Sequence, residues 1–127
     1  MPLSQIFILY LIFRLKHVLC DFFLQTSWMA LEKGKPFKDG GAKALFSHAG
    51  IHGLFTFIIM IGFAPSLWWL GPVDFVVHSI IDRIKVKFTD KMGWTYKNDK
   101  YWWAFGLDQE AHHITHALFI VAIIMWA

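Results

Sequence analysis

The chain has 127 residues and a formal net charge of +3, and 57% of its residues are hydrophobic, against roughly 45–50% in ordinary soluble domains. With seven Trp and thirteen Phe and a mean hydropathy of +0.48, it carries more apolar surface than one small water-exposed domain can hide, which argues against a soluble domain and for a lipid bilayer as partner. The lysines gather in two short stretches and no DNA-binding motif is present, so nucleic acid is not an expected partner.

The first apolar stretch predicts a helix over residues 5–31. Its leading run, Ile6 to Phe13, has no basic region before it and is followed by Arg14, Lys16 and His17, the reverse of the order in a cleavable signal peptide. Cys20, the one cysteine, rules out an internal disulfide and reads as a packed thiol. Pro36 and Gly40-Gly41 mark the first break. A second helix is expected over 43–63, with Ala49 and Gly53 at the small-residue spacing that lets helices pack closely. Pro65 marks a tight turn into a third helix, 66–88. Gly93, Asn98 and Asp99 lie in the third break, and a fourth helix covers 103–126. Each span is near the ~20 residues needed to cross the hydrocarbon, and the alternation of a barrel strand is absent. The expected fold is all-α: residues 1–127 form a single transmembrane domain, an integral membrane four-helix bundle running up-down-up-down.

Basic residues set the expected orientation. Lys33, Lys35, Lys38 and Lys43 flank the first break. Arg83, Lys85, Lys87, Lys91, Lys97 and Lys100 flank the third, and the second has none. The first and third loops are therefore expected in the cytoplasm and both termini outside it, giving a multi-pass protein of the inner (cytoplasmic) membrane. Trp68, Trp69, Trp94, Trp102 and Trp126 fall near span ends, as an interfacial aromatic belt requires.

The spans are interrupted by charge in a regular way. His17, Asp21 and Gln25 lie four apart in the first; His48 and His52 in the second; Asp74, His78 and Asp82, followed by Lys85, in the third; Asp108, His112 and His116 in the fourth. Residues four apart share a helix face, so each helix carries one polar stripe, which lipid would force inward. Counted from the cytoplasmic ends, the stripes lie at about 15–21, 7–14, 9–21 and 6–18 Å in chain order, overlapping at one level. Imidazoles and carboxylates in such a cluster are ligands for Zn, Mn or Fe. His17, Asp21, His48, His52, Asp74, His78, Asp82, Asp108, His112 and His116 are the candidate metal ligands for one ion or two. His113 points about 100° away from His112 and reads as a packing residue or an outer support. Asp82, Lys85, Asp108 and Gln109 are the candidate catalytic groups, and Arg14, Lys85 and Gln25 the candidate substrate contacts. Lys16 reads as snorkelling or neutralising Asp21, and Lys33 as an orientation charge.

The runs His17-Val-Leu-Cys-Asp21-Phe-Phe-Leu-Gln25, Trp28-Met-Ala, Lys33, His48, His52, Asp74-Phe-Val-Val-His78-Ser-Ile-Ile-Asp82-Arg-Ile-Lys85 and Asp108-Gln109-Glu-Ala-His112 resemble a bacterial and phage integral membrane family of unknown function (domain of unknown function 3307). The resemblance implies a multi-spanning membrane protein with polar His/Asp motifs and supplies no reaction, so function must be argued from the site.

The expected function, from the cluster and its cationic neighbours, is a metal-dependent hydrolase acting on a phosphoester or phospholipid at the cytoplasmic face. No Gly-x-Ser-x-Gly or catalytic Cys signature competes. The alternatives are a divalent metal or proton transporter or channel, for which four spans call for a homo-oligomer, and a membrane-bound regulatory protein with a structural metal site.

Overall fold

The computed structural model describes all 127 residues. It contains five α-helices and no strands: α1 Leu3–Val18, α2 Ser27–Glu32, α3 Gly41–Phe63, α4 Leu70–Met92 and α5 Asp99–Trp126. A π-helical turn, Leu19–Phe23, extends α1, and 3-10 turns cover Phe37–Asp39 and Pro65–Leu67.

The helix expected over 5–31 is thus two helices. Thr26 takes an extended conformation (φ −73°, ψ 161°), and its Oγ1 accepts a hydrogen bond from the Met29 N–H at 3.2 Å. That is an N-cap, which starts a new helix rather than continuing the old one. The helix expected from residue 66 begins at Leu70, because Pro65 opens a 3-10 turn first. It runs on to Met92, where Gly93 stops it in the left-handed region at φ +68°.

The four long helices pack side by side, with chain neighbours antiparallel. Asp74 on α4 meets His116 on α5, and Asp82, two turns on, meets His112. Phe13 on α1 meets Phe119 on α5, and His17 meets Gln109. The tightest contact is between α3 and α4. A Cβ on Gly71 would lie 2.6 Å from the Phe57 Cβ, and one on Gly53 2.9 Å from the Phe75 Cβ. Only glycine permits that approach, which holds the His48/His52 and Asp74/His78/Asp82 faces against each other.

The interior divides along its length. At one end Leu9, Met60, Leu67, Leu70, Phe119, Ile120 and Ile123 form an apolar cluster. Beyond Phe13 the interior turns polar: Lys16, His17, Asp21, His48, His52, Asp74, His78, Asp82, Asp108, His112 and His116 are all buried. The outer surface is the reverse, with Leu3 81%, Phe23 75% and Leu107 72% exposed. Of the four spans expected, only α3 is long and apolar enough to cross a membrane by length and composition alone.

Candidate metal centre

Helix periodicity delivers the donors. On α3, His48 and His52 are one turn apart, as are His78 and Asp82 on α4 and Asp108 and His112 on α5, and each pair faces the shared interior. Asp21 arrives differently: it lies within the π turn, where the wider winding lets it stay beside His17, with Oδ2 3.1 Å from His17 Nε2. The Gln25 side chain donates to the Asp21 carbonyl at 3.0 Å and fastens the turn.

The imidazoles converge through the same nitrogen. Asp21 Oδ1 is 2.8 Å from His52 Nε2 and 3.2 Å from His48 Nε2, and His48 Nε2 is 3.2 Å from His78 Nε2. Asp82 Oδ1 is 3.3 Å from His112 Nε2, and its Oδ2 is 3.5 Å from His78 Nε2. The Nδ1 atoms of His48, His52 and His78 are buried without hydrogen-bond partners, so each of these rings spends its polarity on the centre. Donor atoms around a tetrahedral ion with bonds of about 2.0–2.1 Å stand roughly 3.3–3.4 Å apart, close to the spacings here. The buried groups Asp21/His48/His52/His78 and His78/Asp82/His112 can each hold a metal ion. They share His78, which has one Nε2 to offer, so the two sets compete for it.

Two buried lysines surround the centre. Lys33 donates to Asp82 Oδ2 at 2.9 Å and to Gln25 Oε1 at 2.9 Å. Lys16 donates to Asp74 Oδ2 at 2.7 Å and lies 3.0 Å from His116 Nε2. Gln109 joins three groups: it donates to Asp21 Oδ2 at 3.0 Å and Asp108 Oδ2 at 3.2 Å, and its Oε1 lies 2.7 Å from His17 Nε2. The second oxygen of Asp108, Oδ1, is buried 3.4 Å from His112 Nε2 and makes no hydrogen bond.

Not every expected site residue enters the cluster. Arg14 is exposed and lies over the Tyr10 ring, 5.8 Å from its centroid. One residue past Phe13 is a rotation of about 100° off the buried face, so Arg14 stands outside the cluster. Asp74 is inside but committed to Lys16 and to the Thr56 hydroxyl, which donates to its Oδ2; it belongs to neither donor set. Gln25 is occupied by Lys33 and the backbone rather than free for substrate. Lys85 is half-buried between α4 and α5, beside Asp108. Cys20 is a buried free thiol. His17, His113 and His116 form a third group able to hold an ion, with the His113 ring 4.6 Å from that of His17.

Three residues matter more than the sequence suggested. Lys16 does not neutralise Asp21; its spacing of three from Phe13 and seven from Leu9 puts it on the buried face. Lys33 is not a solvated orientation charge, since α2 turns it inward. Arg83 clamps that turn, donating to the carbonyls of Lys33 at 3.0 Å and Lys35 at 2.8 Å. A Thr-Ser pair ahead of an apolar stretch is a helix-start signal and was the available hint that α2 exists.

Residues 6–127 match the family described as Protein of unknown function (DUF3307), and the chain belongs to that family. No curated protein and no solved structure matches it.

Proposed function

We propose that this member of the family is a membrane-embedded, metal-dependent hydrolase of phosphoesters, its helices forming a multi-pass four-helix bundle in the inner membrane. The observation that carries the reading is the convergence of imidazole Nε2 atoms and carboxylates from four helices on one buried centre.

Two features support the membrane setting. The molecule is inside-out, with charged and imidazole groups buried and Leu, Phe, Ile and Trp outside; lipid favours that arrangement and water penalises it. Length also suffices: α1 with its π turn has 16 and five residues, about 31 Å at 1.5 Å each, and α4 and α5 have 23 and 28. Their polar stripes lower their hydropathy, but those stripes face one another. Lysines around the first and third loops favour a cytoplasmic location for that end.

Charge balance supports a single divalent ion. The interior holds four carboxylates, Asp21, Asp74, Asp82 and Asp108, against two ammonium groups, Lys16 and Lys33. With neutral imidazoles two negative charges remain, and buried charge without a counterpart is strongly unfavourable. Zn, Mn or Fe suits the donor chemistry. The set His78, Asp82 and His112 has three ligands, the number that leaves a position for water in catalytic sites, and Asp108 stands beside it. The ion would polarise the phosphoryl group and activate a water. Asp108 Oδ1 takes the proton that this water loses as its oxygen bonds phosphorus, then gives it to the departing alcohol oxygen as the ester P–O bond breaks. Gln109 holds Asp108 and Asp21 in register, and Lys85 stabilises the phosphoryl charge.

Conduction fits less well, because the apolar cluster from Leu9 to Ile123 closes the far end of the polar interior. The test is metal analysis and turnover of the detergent-purified protein with phosphoester substrates. About one divalent ion per chain, lost in His78→Ala, and turnover that chelator removes and metal restores are expected. Asp108→Asn should keep the ion and lose turnover. Full activity in chelator from protein containing no ion would overturn the reading.

A further inference from the structure

A groove of about 520 Å³ runs between α4 and α5, within the roughly 300–1,000 Å³ typical of small-molecule sites. Its walls are Ile84, Phe88, Trp103 and Leu107, all of them exposed. Three polar residues break this apolar lining, and each is placed with purpose. Lys85 and Lys100 supply two ammonium groups, and Asp108 reaches in from the metal centre. Lys100 is steadied over the Trp94 ring, its Nζ 5.8 Å from the centroid, and Trp94 in turn stands edge-on to Phe88 at 5.5 Å. Asp108 is 6% exposed, and the Oδ1 atom that has no hydrogen-bond partner belongs to it. The trough is thus apolar along its walls, with two ammonium groups and one buried carboxylate oxygen without a partner set into them.

Lys85 also lines a smaller, polar pocket of about 160 Å³ that it shares with Lys33, Thr89 and Tyr101. Lys33 is bonded to Asp82 Oδ2 at 2.9 Å. Lys85 therefore lines both the groove that Asp108 enters and the pocket of the lysine that holds Asp82.

We propose that this groove seats one acyl chain of an anionic membrane phospholipid, with its phosphate held between Lys85 and Lys100 next to Asp108. The occupant is a lipid rather than a partner helix because the groove opens on the apolar outer face and sets two ammonium groups among exposed apolar walls, which suits a chain that carries a phosphate. The phosphate's two cationic contacts give charge complementarity. The assignment of that lipid as substrate rests on the hydrolase reading; the binding itself does not.

Native mass spectrometry of the purified protein with equal amounts of phosphatidylglycerol and phosphatidylcholine tests it. One phosphatidylglycerol per chain is expected, retained about tenfold over phosphatidylcholine, a difference of about 1.4 kcal/mol. The double change Lys85→Gln with Lys100→Gln should abolish the preference, and Leu107→Trp, which fills the trough, should reduce retention of both lipids. Equal retention of the two lipids by the wild-type chain, which needs no variant, would overturn the proposal. So would unchanged phosphatidylglycerol retention in either variant. Metal content is read on the same samples: lipid preference without bound metal sinks the hydrolase reading and leaves the groove standing, while bound metal with no lipid preference does the opposite.

Discussion

The two ends of the helix packing solve the same problem with opposite chemistry. At the Leu9–Ile123 end, side chains are held by shape and dispersion, and each can lose a contact without stranding a charge. At the His/Asp end, almost every buried group depends on a named partner: Lys33 on Asp82, Lys16 on Asp74, Gln109 on Asp21 and Asp108. The first end spreads the effect of a substitution over many neighbours; the second concentrates it in one or two atoms. A fold built this way places its candidate metal centre where it is least tolerant.

The comparison is broken most directly at Asp82, which touches Lys33, His48, His78 and His112. Asp82→Ala leaves the Lys33 ammonium buried without a counter-charge, only Gln25 Oε1 still accepting from it, a defect of about 3–5 kcal/mol, and removes a candidate metal ligand. Thermal and denaturant unfolding in detergent should register this loss together with a fall in bound metal. A cost below about 1 kcal/mol would mean that the polar end relaxes like a surface. At the other end, Ile123 is completely buried, and Ile123→Ala should cost about 2–5 kcal/mol by leaving a cavity. Its bound metal should stay at the wild-type level; a parallel loss of metal would show that the two ends are one cooperative unit.

A smaller effect probes the turn that delivers Lys33. Thr26→Ala removes the acceptor for Met29 N–H and should cost about 1 kcal/mol. Hydrogen exchange should rise in Ser27–Glu32 and leave α3 and α4 protected. Uniform loss of protection would place α2 in the core rather than on it.

The long helices and the stripes they carry were legible because both follow from spacing. Four-residue repeats of His and Asp put His48 with His52 and His78 with Asp82, and an apolar background makes such repeats conspicuous. The partners of the lysines were not legible. A sequence gives the sign of Lys16 and Lys33, but the choice between water and a carboxylate is made by backbone direction, and that direction was set by features with weak signatures. The π turn at Leu19–Phe23 has none in composition, and the break at Thr26 had only its capping residue. The angle of about 100° from His112 points His113 away from the centre, yet its ring lies 4.6 Å from that of His17. One unbroken helix over 5–31 contains no break at Thr26, and it is the helix begun there that brings Lys33 to Asp82.

Arg14 offers the finest discrimination, because it sits two residues from Lys16 with the same charge and the opposite environment. Leu9, Phe13, Lys16, His17 and Cys20 are buried, a set spaced at three and four that defines one face, whereas Arg14 points away and rests over Tyr10. Arg14→Ala gives up one exposed cation–π contact, so stability should move by less than about 0.5 kcal/mol, with bound metal and turnover unchanged. Lys16→Ala, by contrast, leaves Asp74 buried beside only Thr56 and His116, and should lower stability by several kcal/mol. The pair isolates facing from charge, since the substitutions remove like charges from neighbouring positions on one helix. Unfolding midpoints of the two variants, measured side by side, decide the matter: equal shifts would mean that α1 is rotated from the orientation on which the whole centre depends.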